Sequence, residues 1–562
     1  MNKQRFLLIL ATLFINIGSI FACTNFIVTK GASTTGATYV TYSADSHNLY
    51  GELYFRPAAE YAEGTMVDIY EWDTGMYKGK IKQVTKTFTV VGNMNEHQLT
   101  IAETTYGGRD ELVDTTGIMD YGSLIYTTLQ RAKNAREAIK IMVDLATEYG
   151  YASSGESFSI VDPNEAWILE VIGKGSPVYD KRGRIDTKKY SKGFVWVARR
   201  VPDGYISGHA NQARIRTFPL NDPENCLYSD DVITFARERG YFEGKDEDFS
   251  FADAYAPLDF GALRFCEARV WAGFRKVHKE SDKYFAYVNG DDLENRLPLW
   301  VKPDRKLSLQ DVMDMMRDHY TDTPYDMTKD VGAGAYGCPY RWRPMTWSID
   351  GKDYIHERAI STQQTGFSFV AEMRSWLPNH IGGVNWFGVD DTYLTVYVPM
   401  YAGITEVPKS FEVGNGDMAT FTFDAAFWVF NWVSSQVYSR WSDMIVDLQK
   451  VQKQLETQFM ADVNAFDKVA VDAYKKDPIA GRQLLTQFSV QKGDYTTLRW
   501  RQLGEYLMVK YLDGNRKVEK DGKFVPDEYG IYNPKFPPYS DEWYRRIVKE
   551  HGHVIEQRDI NK

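Results

Sequence analysis

Cys23 is the residue around which chemistry is expected. It follows Ile20-Phe21-Ala22, and in front of that lies a short apolar run with a positive start. A cysteine that becomes a chain terminus carries two reactive groups on one residue: a thiol that attacks carbonyl carbon, and a free α-amine that takes up the thiol proton. That amine, with an ordinary pKa of about 7.7 to 8.0, would act as a base near neutral pH.

Whether Cys23 becomes a terminus depends on residues 1–22. Lys3 and Arg5 form a positive start, Phe6 to Ile17 are almost wholly apolar, and Gly18, Ser19 and Ala22 are small residues before the cut. This is the pattern of a secretory signal, and the apolar run is short of the roughly 20 residues that span a bilayer. The expectation is a cleaved leader and a secreted or periplasmic chain with no membrane span. A competing fate is lipidation, with Ile20-Phe21-Ala22-Cys23 as acceptor box and a lipid on the thiol. Phe21 is a bulky misfit there, and lipidation would consume the groups that make the terminus reactive.

Other chemical motifs are weak. There is no G-x-S-x-G elbow and no H-E-x-x-H helix. Gly332-Ala333-Gly334-Ala335-Tyr336-Gly337 fits a dinucleotide fingerprint in spelling only, since no buried strand precedes it and Cys338-Pro339 follows it. His551 and His553 sit in a charged tail without a partner for a metal and read as solvated. Asp318-His319-Tyr320 has the types for proton transfer but reads as a buried structural histidine. No cofactor and no metal are expected. The formal net charge of −10, two units more negative once Lys3 and Arg5 leave with the leader, argues against nucleic acid as a partner. Of four cysteines, three remain if Cys23 is a nucleophile, so at most one disulfide is possible among Cys226, Cys266 and Cys338.

The elements around Cys23 must hold it in place. Asn25 to Lys30 and Ala37 to Tyr42 read as strands joined by the turn Gly31 to Gly36, with Asp45 in the loop just beyond. That loop would bring its carboxylate beside the amine of Cys23, although a turn-capping role is as well supported by composition. Phe88 to Val91 and Leu99 to Ala102 are strand-like. A helix is expected over Asn134 to Glu148, with Asn134 and Glu137 at capping-box spacing and Ala138, Ile139, Met142, Leu145 and Ala146 on one face. A second hairpin joins Phe158–Val161 to Ala166–Val171 through Asp162-Pro163-Asn164-Glu165. Strands, a helix and strands again predict a layered α+β domain.

Further on, Val437, Trp441, Met444, Leu448, Val451 and Leu455 form a coiled-coil-like stripe on one long helix beginning near Phe427, expected to pack on the domain. The stretch from about Asp513 reads as an ordered but irregular tail. The expected organisation is a leader over 1–22, one large domain over 23–425, and a helical extension with its tail over 426–562 packed on that domain. The number of chains in an assembly is not legible.

Several blocks resemble the secreted dipeptidase A family of N-terminal-nucleophile cysteine hydrolases: Cys23-Thr24-Asn25-Phe26; Gly36-Ala37-Thr38-Tyr39-Val40 leading to Asp45-Ser46; and Asn95-Glu96-His97-Gln98-Leu99 to Glu103-Thr104-Thr105-Tyr106-Gly107-Gly108. Arg317-Asp318-His319-Tyr320 to Pro324-Tyr325-Asp326, and Trp386-Phe387-Gly388-Val389 to Val398-Pro399, resemble later blocks. The resemblance implies a four-layer αββα sandwich and hydrolysis of dipeptides or short peptides through a thioester. It implies Cys23 as nucleophile with its own amine as base, and Asp45 as the acid that orients that amine. Asn211, in Gly208-His209-Ala210-Asn211-Gln212, would supply an oxyanion donor; Arg269, in Glu267-Ala268-Arg269-Val270-Trp271, would stabilise the site's charge. One position departs: the family usually has arginine three places before the acid, and this chain has Tyr42. Either another cation does that work or substrate preference differs. Rival expectations are an amidase for other acyl-amides by the same chemistry, and a lipid-anchored binding protein with no chemistry.

Overall fold

A computed structural model describes residues 23–187 and 190–560; the expected leader, 1–22, lies outside the described residues. The chain is of mixed α+β character, built on two antiparallel sheets. The first has at its centre β1 (Asn25–Val28) and β2 (Thr38–Asp45). The second is built on β3 (Thr100–Gly107), β4 (Gly155–Val161), β5 (Ala166–Gly173) and β6 (Phe194–Arg200). The first is completed by β7 (Ile206–His209), β8 (Thr365–Met373), β9 (Gly383–Val389) and β10 (Val398–Tyr401), in the order β7-β1-β2-β8-β9-β10 with Trp300–Val301 at the β7 edge. Short strands at Cys226–Tyr228, Met94–Asn95, Val90–Val91 and Phe55–Arg56 extend the second sheet.

β1 and β2 lie against β3 and β4. Between them, Ser159 Oγ donates to Asn25 Oδ1 at 3.0 Å. The strand period of two sorts side chains between faces. Phe158 and Ile160 of β4 join an apolar cluster with the helices α1 (Tyr121–Leu129) and α2 (Ala135–Tyr149), while Val161 joins the cluster of β1 and β2. The predicted helix over 134–148 is α2, shifted by one residue, and the Asn134 side chain accepts from Glu137 N at 3.0 Å. Both predicted hairpins are present, with Ile27 opposite Val40 in the first and Val161 opposite Ala166 in the second.

Helices also flank the first sheet. α3 (Ala268–Val277) packs on β7, α4 (Ala426–Ser439) on β9, and α5 (Trp441–Lys476) and α6 (Pro478–Lys510) on β10. The single long helix expected from Phe427 is instead two, α4 and α5. Arg440 breaks it with φ −147° while its guanidinium bonds Asp443 and the Gly514 carbonyl. The apolar stripe survives the break: Val437, Trp441, Met444, Leu448 and Leu455 are buried. α5 and α6 form an antiparallel pair turned by Asp477, whose side chain caps α6 at Ile479 N. The tail is less irregular than expected, because it ends in α7 (Asp541–Ile555), capped by Ser540 and without a buried residue. Among the described residues no helix is long and apolar enough to cross a membrane.

Candidate active site

Cys23 is separated from β1 by Thr24 alone, and β1 is held on both edges. Thr24 N donates to Ser43 O at 3.3 Å, Ser43 N returns a bond to Thr24 O at 2.9 Å, and Asn25 lies opposite His209 of β7. A cysteine so placed has little freedom in its backbone. Its side chain opens on a cavity of about 220 Å³ walled by Tyr42, Asp45, Asp73, Glu103 and Tyr121 among others.

The thiol is buried and surrounded by acids. Cys23 Sγ lies 3.5 Å from Tyr42 Oη and donates to Glu103 Oε1 at 3.5 Å. Tyr42 Oη donates to the same Glu103 oxygen. Burial pushes the thiol well above its ordinary pKa, and the charges of Glu103 and Asp45 push in the same direction; its contact with the Tyr42 hydroxyl and a hydrogen bond with the Asp45 main chain oppose them. The sulfur therefore rests protonated and becomes a nucleophile only when a base removes the proton.

Glu103 and its neighbour Glu156 are the acids that the sequence reading missed. Both are buried, on β3 and β4, and they hydrogen-bond each other. Two carboxyls can do so only if one holds a proton. Burial, then the charge of Glu103, holds Glu156 in its protonated form. Glu103 is pushed up by burial too, and the hydrogen bonds it accepts from Tyr42, Glu156 and Cys23 oppose that rise. Oε2 of each has no hydrogen-bond partner. A signal for both was present in the strand period: Glu103 falls in phase with Leu99 and Ile101, and Glu156 in phase with Phe158 and Ile160. An acid in the apolar phase of a strand must be buried.

Asp45 lines the cavity with Cys23, but its setting differs from the one expected. It is the last residue of β2 and not a loop residue, because Thr365 of β8 pairs opposite it and extends the ladder. Its carboxylate is held by Arg358 Nη2 at 2.5 Å, Thr365 Oγ1 at 2.6 Å and Ser43 Oγ at 3.1 Å. Arg358 thus supplies the cation that Tyr42 does not. Tyr42 has turned to the thiol and Glu103.

Asn211 and Arg269 are brought to Cys23 from behind. Arg269 is fully buried on α3, and each of its five N–H groups has an acceptor. Nη1 donates to Cys23 O at 2.6 Å and Thr24 Oγ1 at 2.7 Å; Nη2 donates to Ala210 O at 3.1 Å and Asn211 Oδ1 at 2.7 Å; Nε donates to Phe265 O at 2.6 Å. Asn211, at φ 65°, donates from Nδ2 to Thr105 O at 2.6 Å. Neither is among the residues that wall the cavity. The guanidinium fixes the carbonyl of Cys23 and the amide of Asn211 with respect to each other.

The remaining motifs lie elsewhere. His319 is buried, its Nε2 2.8 Å from Tyr340 Oη, and burial drives its pKa down to about 3, which leaves it a neutral structural group. Val331–Ala333 is a single 3-10 turn in the glycine loop, and no helix follows it. His551 and His553 lie on α7. All four cysteines are unbonded. Among the described residues no three His, Cys, Asp or Glu side chains converge as a metal site requires.

The chain is similar to several known proteins. It is 24% identical over 449 residues to a probable dipeptidase of Latilactobacillus sakei, covering 76% of this chain and 84% of that one. It is 23% identical over 430 residues to a probable dipeptidase of Salmonella dublin, covering 73% and 88%. Against dipeptidase A of Lactobacillus helveticus it is 23% identical over 325 residues, covering 57% and 58%. The sequence model of peptidase family C69 matches residues 51–454, a span that holds Glu103, Asn211, Arg269 and Arg358 and begins after Cys23 and Asp45. With the match running over most of its length, the chain belongs to peptidase family C69.

Proposed function

We propose that this peptidase is a secreted or periplasmic cysteine dipeptidase whose nucleophile is Cys23 at a mature N-terminus, on the four-layer αββα scaffold of N-terminal-nucleophile hydrolases. The observation that carries the proposal is the Cys23 thiol, standing at the head of a central strand and on the wall of a small acidic cavity. The dipeptidase names of the relatives support the substrate class. The burial of Sγ against Tyr42 and Glu103 favours a free thiol over a lipidated one.

In the mechanism the α-amine of Cys23 takes the thiol proton, and the sulfur attacks the carbonyl carbon of the peptide bond. Main-chain N–H groups hold the oxyanion, and Asn211, whose Nδ2 donates to the carbonyl of Thr105 on the cavity wall, supports them from behind. When the intermediate collapses, the C–N bond breaks, the proton passes to the departing amine and a thioester remains. Water gives its proton to the same α-amine and attacks the thioester, releasing the first residue's carboxylate and restoring the thiol. Asp45, held by Arg358, is the acid beside that amine.

Protein beginning at Cys23 is prepared, its intact mass confirmed, and dipeptide hydrolysis compared with the Cys23→Ala and Cys23→Ser forms. Activity is expected to fall to background in the alanine form, and activity retained there would sink the proposal. Asn211→Ala is expected to lower turnover by roughly 10²–10³ if it serves the oxyanion.

A further inference from the structure

The cavity beside Cys23 has an unbalanced charge. Asp45, Asp73 and Glu103 line it, and among the described residues no Lys, Arg or His does. Asp45 is answered from behind by Arg358. No cation reaches Glu103: it is 2% exposed, its Oε1 accepts from the Tyr42 hydroxyl and the Cys23 thiol, and its Oε2 has no hydrogen-bond partner. Asp73 stands at the rim, where Tyr121 Oη donates to it at 2.7 Å. A buried carboxylate without a cation is costly, and a structure that keeps one beside a cavity leaves room for a positively charged ligand group.

We propose that Glu103 and Asp73 form the subsite that receives the free α-ammonium group of the peptide's first residue. This rests on the dipeptidase reading above and names which peptides the site accepts. The covalent distances fit. The α-nitrogen of a residue lies roughly 2.5 Å from its own carbonyl carbon. A sulfur poised for attack stands about 3–3.5 Å from that carbon. These lengths allow the ammonium to come within hydrogen-bond reach of a carboxylate oxygen that is itself 3.5 Å from the sulfur. The wall is also suited to a cation: Trp72 stacks on Tyr126 with ring centres 4.2 Å apart, and both line the cavity. The volume, about 220 Å³, is below the roughly 300–1,000 Å³ of sites for drug-sized ligands, so little beyond one residue fits ahead of the scissile bond. An enzyme so built removes one residue from a free amino end and refuses an acylated one.

The test separates binding from chemistry. In the Cys23→Ala protein, calorimetric titration compares a dipeptide with its N-acetyl form. The free amine is expected to bind on the order of 10- to 100-fold more tightly, the worth of a charged hydrogen bond. Adding Asp73→Asn, a rim substitution that spares the surroundings of the thiol, should narrow that ratio without moving the melting temperature, and Glu103→Gln should narrow it further. Equal binding of the two peptides overturns the subsite; so does a ratio untouched by both substitutions, or no binding of either peptide at millimolar concentration. If wild type cleaves both forms at the same rate, the dipeptidase reading stands and the subsite falls. If wild type cleaves neither while the titration discriminates, the subsite stands and the dipeptidase reading falls.

Discussion

The protein buries two pairs of neighbouring carboxyls, and it treats them in opposite ways. Asp390 and Asp391, between β9 and β10, are dressed with neutral donors. Asn431 Nδ2 and Ser434 Oγ of α4 reach Asp390 at 2.9 and 2.5 Å, while Ser361 Oγ at 2.7 Å, Tyr393 N at 3.0 Å and Tyr438 Oη at 2.7 Å reach Asp391. That pair is a joint which ties α4 to the end of a strand. Glu103 and Glu156 leave an oxygen each with no hydrogen-bond partner, and Glu103 does so beside a thiol and an open cavity. Burial with every acceptor answered builds structure; burial with one left open costs stability and is kept where a ligand can answer it.

The largest effect that would break this contrast lies in the joint. Asp391→Ala strands the Ser361 and Tyr438 hydroxyls and the Tyr393 N–H, at a cost of about 3–5 kcal/mol. Urea unfolding should show that loss while the folded fraction keeps its turnover. A comparable loss from Glu103→Ala, or an Asp391 variant as stable as wild type, would erase the distinction. Next in size, Glu103→Gln should lower kcat/KM for a free dipeptide about 10²-fold, near 2.7 kcal/mol, while its unfolding midpoint holds or rises.

The third effect is a pH dependence. Burial, then the charge of Asp391, raises Asp390 to about 7. Between about pH 4 and 7 the unfolded chain releases a proton that the folded chain keeps, so this group makes stability fall as pH rises through that window. Asp390→Asn should remove that slope, a change of about 4 kcal/mol across the window; an identical slope in the variant would show that the joint is not what titrates. The smallest effect sharpens the contrast from the other side. Glu156→Gln still donates to Glu103, so unfolding free energy should stay within about 1 kcal/mol of wild type.

What the sequence disclosed follows from the range of the forces involved. α2 was legible because Asn134 and the apolar positions from Ala138 to Ala146 act within one helix, and the hairpin of β4 and β5 because its turn is four residues long. The hairpin behind Cys23 was legible from its glycine-flanked turn, Gly31 to Gly36. Arg358 was not, since it meets Asp45 across 313 positions and nothing local to either announces the pair. The strand end at Asp45 was misjudged for the same reason: its ladder partner is Thr365. The break at Arg440 depends on the Gly514 carbonyl, which the period of the stripe does not see. Glu103 and Glu156 show in the sequence only by their phase, because a strand with polar residues on its other face hides an acid easily.

The five bonds of Arg269 bear on maturation. Its grip on this end of the chain is on the carbonyl of Cys23 and the hydroxyl of Thr24, and the strand pairing starts at Thr24. All of these fixings are on the carboxyl side of the Cys23 α-carbon. In the maturation proposed above, a cut on the amino side of Cys23 would sever none of them, so removal of residues 1–22 after folding would leave the new amine in a site already assembled.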